Sequence, residues 1–80
     1  MERYANVQGN AGVEEYEVDP EDGSLWVRFK GTRKRPGRLY HFTAASCGGD
    51  VLESMIELAV AGSGLSTYIA REKPSYESRS

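Results

Sequence analysis

Five cations fall within nine residues, at Lys30, Arg33, Lys34, Arg35 and Arg38 in the run KGTRKRPGR, and no acid interrupts them. Guanidinium groups present a planar fork that matches phosphate oxygens, and lysine adds a point charge. Such a run suits a polyanion. Just upstream, Trp26, Arg28 and Lys30 alternate with Leu25, Val27 and Phe29, and His41 follows in RLYHFT. Aromatic rings interleaved with cations on one sheet face are how single-strand binders hold bases and phosphates together. Trp and Arg are also enriched at protein interfaces, so the same residues suit a protein partner. The plainer alternative is a solvated hairpin tip that keeps an edge soluble and blocks strand pairing. In that case Trp26 is covered by the N-terminal residues, with Tyr4 the candidate cover.

Other residues offer less chemistry. Cys47 lies just ahead of a predicted helix start, a position that would lower its pKa, and His41 is near in sequence. A Cys–His nucleophile needs a third group to orient the base, and no acid lies close by. One Cys and one His are too few to hold zinc. The segment Gly62-Ser-Gly-Leu-Ser-Thr67 has the look of a phosphate loop, but it follows a helix and lacks a Lys before Ser/Thr. It reads as a turn between helices. The pattern predicts no catalytic residue, no metal, no cofactor and no small-molecule substrate.

Charge is distributed in blocks. Residues 1–23 hold seven acids and one base, residues 24–38 hold six bases and no acid, and residues 39–80 hold five acids and three bases. The overall pI of about 5.3 argues against indiscriminate polyanion binding. The middle block is nonetheless a local cationic zone. Acids at Glu53 and Glu57, with the acidic 14–22 segment, give the chain a negative surface that would suit a basic partner.

Elements must place these residues. Eighty residues make one domain. A single cysteine excludes an internal disulfide and fits a reducing, cytoplasmic setting. MERYANVQGN has no apolar core of a signal peptide, and the longest apolar run is far too short to span a membrane. Residues 1–12 show no period and read as a flexible arm. Val13–Val18, Ser24–Lys30 and Arg38–Thr43 read as three antiparallel strands, the second with clear period-two alternation. Asp19-Pro-Glu-Asp-Gly23 supplies the first turn. Pairing Val18 with Leu25, and Phe29 with Tyr40, gathers Tyr16, Val18, Leu25, Val27, Phe29, Tyr40 and Phe42 on one face. Glu15 then stands opposite Arg28. Asp50 is the expected N-cap of a helix over 51–61, with Val51, Leu52, Met55, Ile56, Ala59 and Val60 as its apolar stripe and Gly62 as its stop. Leu65, Tyr68 and Ile69 predict a short second helix, ended before Pro74. Residues 74–80 read as a polar tail. The expected fold is therefore α+β: a three-stranded antiparallel meander packed against one main helix, with a short second C-terminal helix, the domain covering 13–73.

The run VEEYEVDPEDGSLWVRF, then LYHF, then an acidic-apolar helix ending in Gly-x-Gly, then YIAREKPSY, resembles the KTSC domain family. That family is named for a segment at the C-terminus of some lysyl-tRNA synthetases and also occurs as small stand-alone bacterial and phage proteins. The matching positions are Asp19-Pro20 with Leu25, Val27 and Phe29, then Tyr40-His41-Phe42, Gly62-Ser63-Gly64, and Ile69 with Arg71. The likeness covers roughly residues 13–76. It implies a non-enzymatic domain for which RNA binding has been suggested. The loop between the second and third strands is longer and more basic than the family's short turn, which moves interest to the hairpin. The expected function is a small binding module that contacts RNA or a nucleoprotein through Trp26, Arg28, Lys30, Arg33, Lys34, Arg35, Arg38 and His41. The alternative is a protein–protein regulator that docks on an enzyme or nucleoprotein complex.

Overall fold

Alternation at 25–29 puts Leu25 and Val27 wholly inside and leaves Trp26 and Arg28 on the opposite face. This segment becomes the middle strand of a sheet. The computed structural model describes residues 1–5, 12–31, 33–34 and 36–80. Among these residues five antiparallel strands lie in chain order: Glu2–Arg3 (β1), Val13–Val18 (β2), Leu25–Phe29 (β3), Leu39–Phe42 (β4) and Ser78–Arg79 (β5). Three helices, Ala44–Cys47 (α1), Gly49–Ala61 (α2) and Leu65–Glu72 (α3), complete the α+β domain. The three expected strands form the centre, and short strands from the two terminal segments extend the sheet to five. Those segments were read as an arm and a tail because two-residue edge strands leave no hydrophobic pattern. Backbone pairing recruits them, helped by Tyr4 in the core and Tyr76 against Tyr40.

The β2–β3 hairpin follows from its turn. Asp19 Oδ1 accepts from the Glu21 N–H at 2.8 Å, and Asp22 Oδ1 accepts from the Ser24 N–H at 2.9 Å. These side-chain turns fix the loop length, and Val18 pairs with Leu25 and Glu15 with Arg28, as the sequence predicts. Beyond Glu15 the register breaks. Val13 pairs with Phe29, so Glu14 is the extra residue of a β-bulge. The bulge lets both adjacent glutamates avoid the core while Val13 is buried and Tyr16 packs against it.

The β3–β4 register differs from expectation by two residues. Val27, not Phe29, pairs with Tyr40, and Trp26 pairs with His41. Gly37 explains the closer turn. A Cβ there would collide with the Phe29 carbonyl oxygen, so only glycine lets the returning chain press onto residues 29–31. The Phe29 N–H then donates to the Arg38 carbonyl at 2.7 Å. An offset of two preserves every side chain's face.

The helices cover one face. Leu52, Met55 and Ala59 of α2 and Leu65 of α3 join Val13, Leu25, Val27 and Phe42 in one buried cluster. Val60, expected in that stripe, is 67% exposed. It follows Ala59 by about 100° around the helix and so turns out of the contact. Asp50, expected as N-cap, lies in the first turn instead, where its charge suits the helix dipole. Gly48 takes the cap position because α1, an unexpected single turn, runs up to it. Thr43 and Ser46 cap α1 reciprocally: Oγ1 of Thr43 accepts from the Ser46 N–H at 3.0 Å, and Oγ of Ser46 accepts from the Thr43 N–H at 3.0 Å. Gly62 ends α2 in the left-handed conformation, as expected. Among the described residues, no helix is long and apolar enough to cross a membrane.

Candidate functional site

The cations singled out in the sequence do not form one stripe. Trp26, Arg28 and His41 face away from the helices, on the open side of the sheet, with Glu15 and Glu17 beside them. Arg28 Nε is 3.1 Å from Glu15 Oε1, an ion pair without the alignment of a hydrogen bond. Glu17 in turn faces the Met1 amino group at 3.7 Å. The open face is therefore largely charge-compensated. Lys30, Arg33, Lys34 and Arg38 are exposed at and beyond the strand ends. Arg35 lies outside the described residues. Arg38, opposite Phe29, turns to the helical side of the sheet.

Trp26 and His41 stack, their ring centroids 3.8 Å apart and their planes 6° from parallel. His41 Nε2 is 2.9 Å from Ser24 Oγ. Ser24 is 1% exposed. The Ser24 hydroxyl and then its backbone N–H hold the Asp22 carboxyl below its ordinary range, with a smaller contribution from His41. The order acid–serine–imidazole is not that of a nucleophilic triad, in which the imidazole stands between the acid and the serine. Here the run fixes the imidazole against the indole. Tyr4 does not cover Trp26. It lies on the other side of the sheet, 3% exposed, and its hydroxyl accepts from the Leu65 N–H at 3.2 Å. The register of β1 against β2 sends Tyr4 to the core face, where it meets the start of α3.

Cys47 also departs from expectation. It is the last residue of α1, and its Sγ lies 3.3 Å from the Thr43 carbonyl. Burial pushes the thiol up, against smaller opposing effects from Ser46 and its own backbone. Among the described residues, no three His, Cys, Asp or Glu side chains gather to hold a metal ion.

The sequence reading missed a groove of about 440 Å³ between β4, α3 and the segment leading to β5. Phe29, Tyr40 and Phe42 form its floor, and Ile69, Pro74 and Tyr76 form its wall. Tyr40 meets Phe29 edge-on at 5.3 Å and Tyr76 edge-on at 5.0 Å. Arg38 and Lys73 reach the rim, and among the described residues no carboxylate lines it. Arg79 lies 5.8 Å from the Tyr76 ring, and the Tyr40 hydroxyl chiefly holds it further toward its charged form. The same aromatics were expected to be covered by helix. Helix α3 stands beside these rings, with Ser66, Ile69 and Ala70 lining the groove, and does not close over them. The signal available in the sequence was Tyr76, an aromatic in an otherwise polar tail.

A scan against protein-family models returned no match to this chain, nor did searches of curated proteins and of solved structures.

Proposed function

We propose that this domain is a non-enzymatic binding module for RNA, with its basic hairpin on the phosphates. One observation carries the reading. Three ion pairs occur among the described residues, and none engages Lys30, Arg33, Lys34 or Arg38. These charges are exposed and close in sequence, while Glu15 and Glu17 of β2 are turned to Arg28 and the N-terminus. Phosphates could replace water around them without breaking an internal pair. The resemblance to the KTSC domain family supports the same direction. Arg28 and Trp26 become framework for the hairpin in this reading.

The test is a salt titration of binding to a labelled RNA strand. Each phosphate neutralised contributes a slope of roughly −0.7 in log K against log salt. The Arg33→Ala/Lys34→Ala double variant is expected to flatten the slope by about two phosphates' worth. Binding that is absent, or that ignores both salt and these substitutions, would sink the proposal.

A second reading rests on a separate feature. Met1, Glu2, Tyr16, Glu17, Val18 and Val60 line a shallow concavity on the opposite edge of the sheet. Exposed apolar side chains there stand beside carboxylates. That surface suits a basic protein partner, the regulator alternative. Capture of a defined protein after nuclease treatment, lost on Val60→Glu, is its expected signature.

A further inference from the structure

The groove beside β4 lies on the same side of the sheet as Arg38, the last cation of the hairpin. We infer that it holds one unstacked base of a single-stranded RNA whose neighbouring phosphates lie on the hairpin cations. This rests on the RNA reading above and adds what that reading lacks, a reason to prefer single strands.

Four observations carry it. The lining is aromatic: Tyr40 meets Tyr76 at 84° and Phe29 at 77°, and lies nearly parallel to Phe42. A planar base can lie flat on one ring and meet the edge of the next, the arrangement that aromatic pairs favour. The rim is cationic through Arg38 and Lys73, with Arg79 close behind Tyr76, and no acid among the described residues lines the groove. That selects an aromatic ligand with anionic flanks. The volume of about 440 Å³ is that of a small-molecule site, enough for one nucleoside and too small for a helix. A base in a duplex is stacked and paired and cannot enter it. Finally, the Ser66 hydroxyl lines the groove, and among the described residues it accepts one long contact, 3.4 Å, from the Gly12 N–H. It remains able to meet a ribose 2′-hydroxyl, the group that separates RNA from DNA. Tyr76 is 44% exposed in a segment outside the buried core, so it can be changed without opening that core.

The experiment is fluorescence anisotropy with one labelled RNA strand, the same strand annealed to its complement, and a DNA strand of the same sequence. It compares the unmodified domain with Tyr76→Ala, which removes a wall, and Ala70→Trp, which fills the groove from an exposed position of α3. Circular dichroism checks that both variants fold. The expected result is that each weakens single-strand RNA binding about tenfold, as loss of one base-stacking contact does, and leaves the salt slope unchanged. Duplex and DNA bind more weakly and respond less. If neither variant alters single-strand affinity while Arg33→Ala/Lys34→Ala does, the groove inference falls and the hairpin reading stands. If the unmodified domain shows no salt-dependent binding, the hairpin reading itself falls. An acidic peptide carrying one Phe that binds the groove, is blocked by Ala70→Trp and leaves RNA affinity untouched would assign the site to a protein instead. Equal affinity for the DNA strand would overturn the assignment to RNA.

Discussion

The indole of Trp26 lies flat against the imidazole of His41, with ring centroids 3.8 Å apart and planes 6° from parallel. The two residues are direct cross-strand partners on β3 and β4, so the stack is built into the register of the sheet. Ser24 holds the far side of the imidazole. One face of the indole is thus occupied by the protein itself. This is why the open face is a poor platform for bases, although its residue types suggested one.

The consequence can be measured through the single tryptophan. His41→Ala is expected to shift Trp26 emission to the red and to destabilise the domain by about 1 kcal/mol, the worth of an aromatic pair. The buried Ser24 hydroxyl keeps Asp22 but loses this second partner, which adds a smaller cost. Denaturant unfolding followed by Trp26 fluorescence reads both quantities. RNA affinity should be nearly unchanged in this variant. Unaltered emission would mean that the stack does not shield the indole.

Gly62 carries a second prediction. Its φ is 75°, and a Cβ built there would lie 2.5 Å from the Ala5 Cβ. Gly62→Ala is expected to destabilise by about 1 kcal/mol from the left-handed backbone alone. Displacing Ala5, which follows the buried Tyr4, adds to that. Ala5→Gly in the same background should recover the contact part and leave the backbone part. Recovery of none of the loss in a thermal melt would remove the clash from the account.

Much of this was legible in the sequence, and the failures have physical causes. The alternation of Leu25, Val27 and Phe29 and the Asp19–Gly23 turn suffice for the β2–β3 pairing because turn chemistry fixes the loop length. The β3–β4 offset was not legible. Hydrophobic alternation specifies register only to within two residues, and the choice rests on Gly37 pressing onto the Phe29 carbonyl. The α1 cap escaped notice because Ser46 stands where the usual capping box has Glu or Gln. The candidate site was half legible. The hairpin cations announce themselves by charge, but sharing a face does not reveal whether a helix covers it. Phe29 and Tyr40 read as core and line a groove.

Cys47 offers a chemical test of its surroundings. Burial pushes its thiol above the ordinary value of 9.0. Less thiolate is then present near neutral pH, and the thiolate is the species that reacts. Alkylation by iodoacetamide is expected to be slow at neutral pH, with its rate rising to a midpoint above that ordinary value. A midpoint below it would make the neighbouring start of α2 the stronger influence.

Asp22 ties the turn to pH. Hydrogen bonds from the Ser24 side chain and backbone hold its carboxyl below the ordinary value of 3.8 in the folded state. In the unfolded chain those bonds are gone, so the unfolded state binds the proton more readily. Stability therefore rises with pH across this interval. The contribution is fully present above the unfolded value and is lost as pH falls through the folded one. Asp22→Asn keeps an oxygen for the Ser24 N–H but cannot titrate. Its denaturant midpoint should lie below that of the unmodified domain at about pH 5, with the gap closing toward about pH 2 as the native carboxyl takes its proton. Every other carboxylate is common to both proteins, so the gap between the two curves isolates Asp22. A gap that stays constant over that range would show that the Ser24 hydrogen bonds do not favour the ionised form.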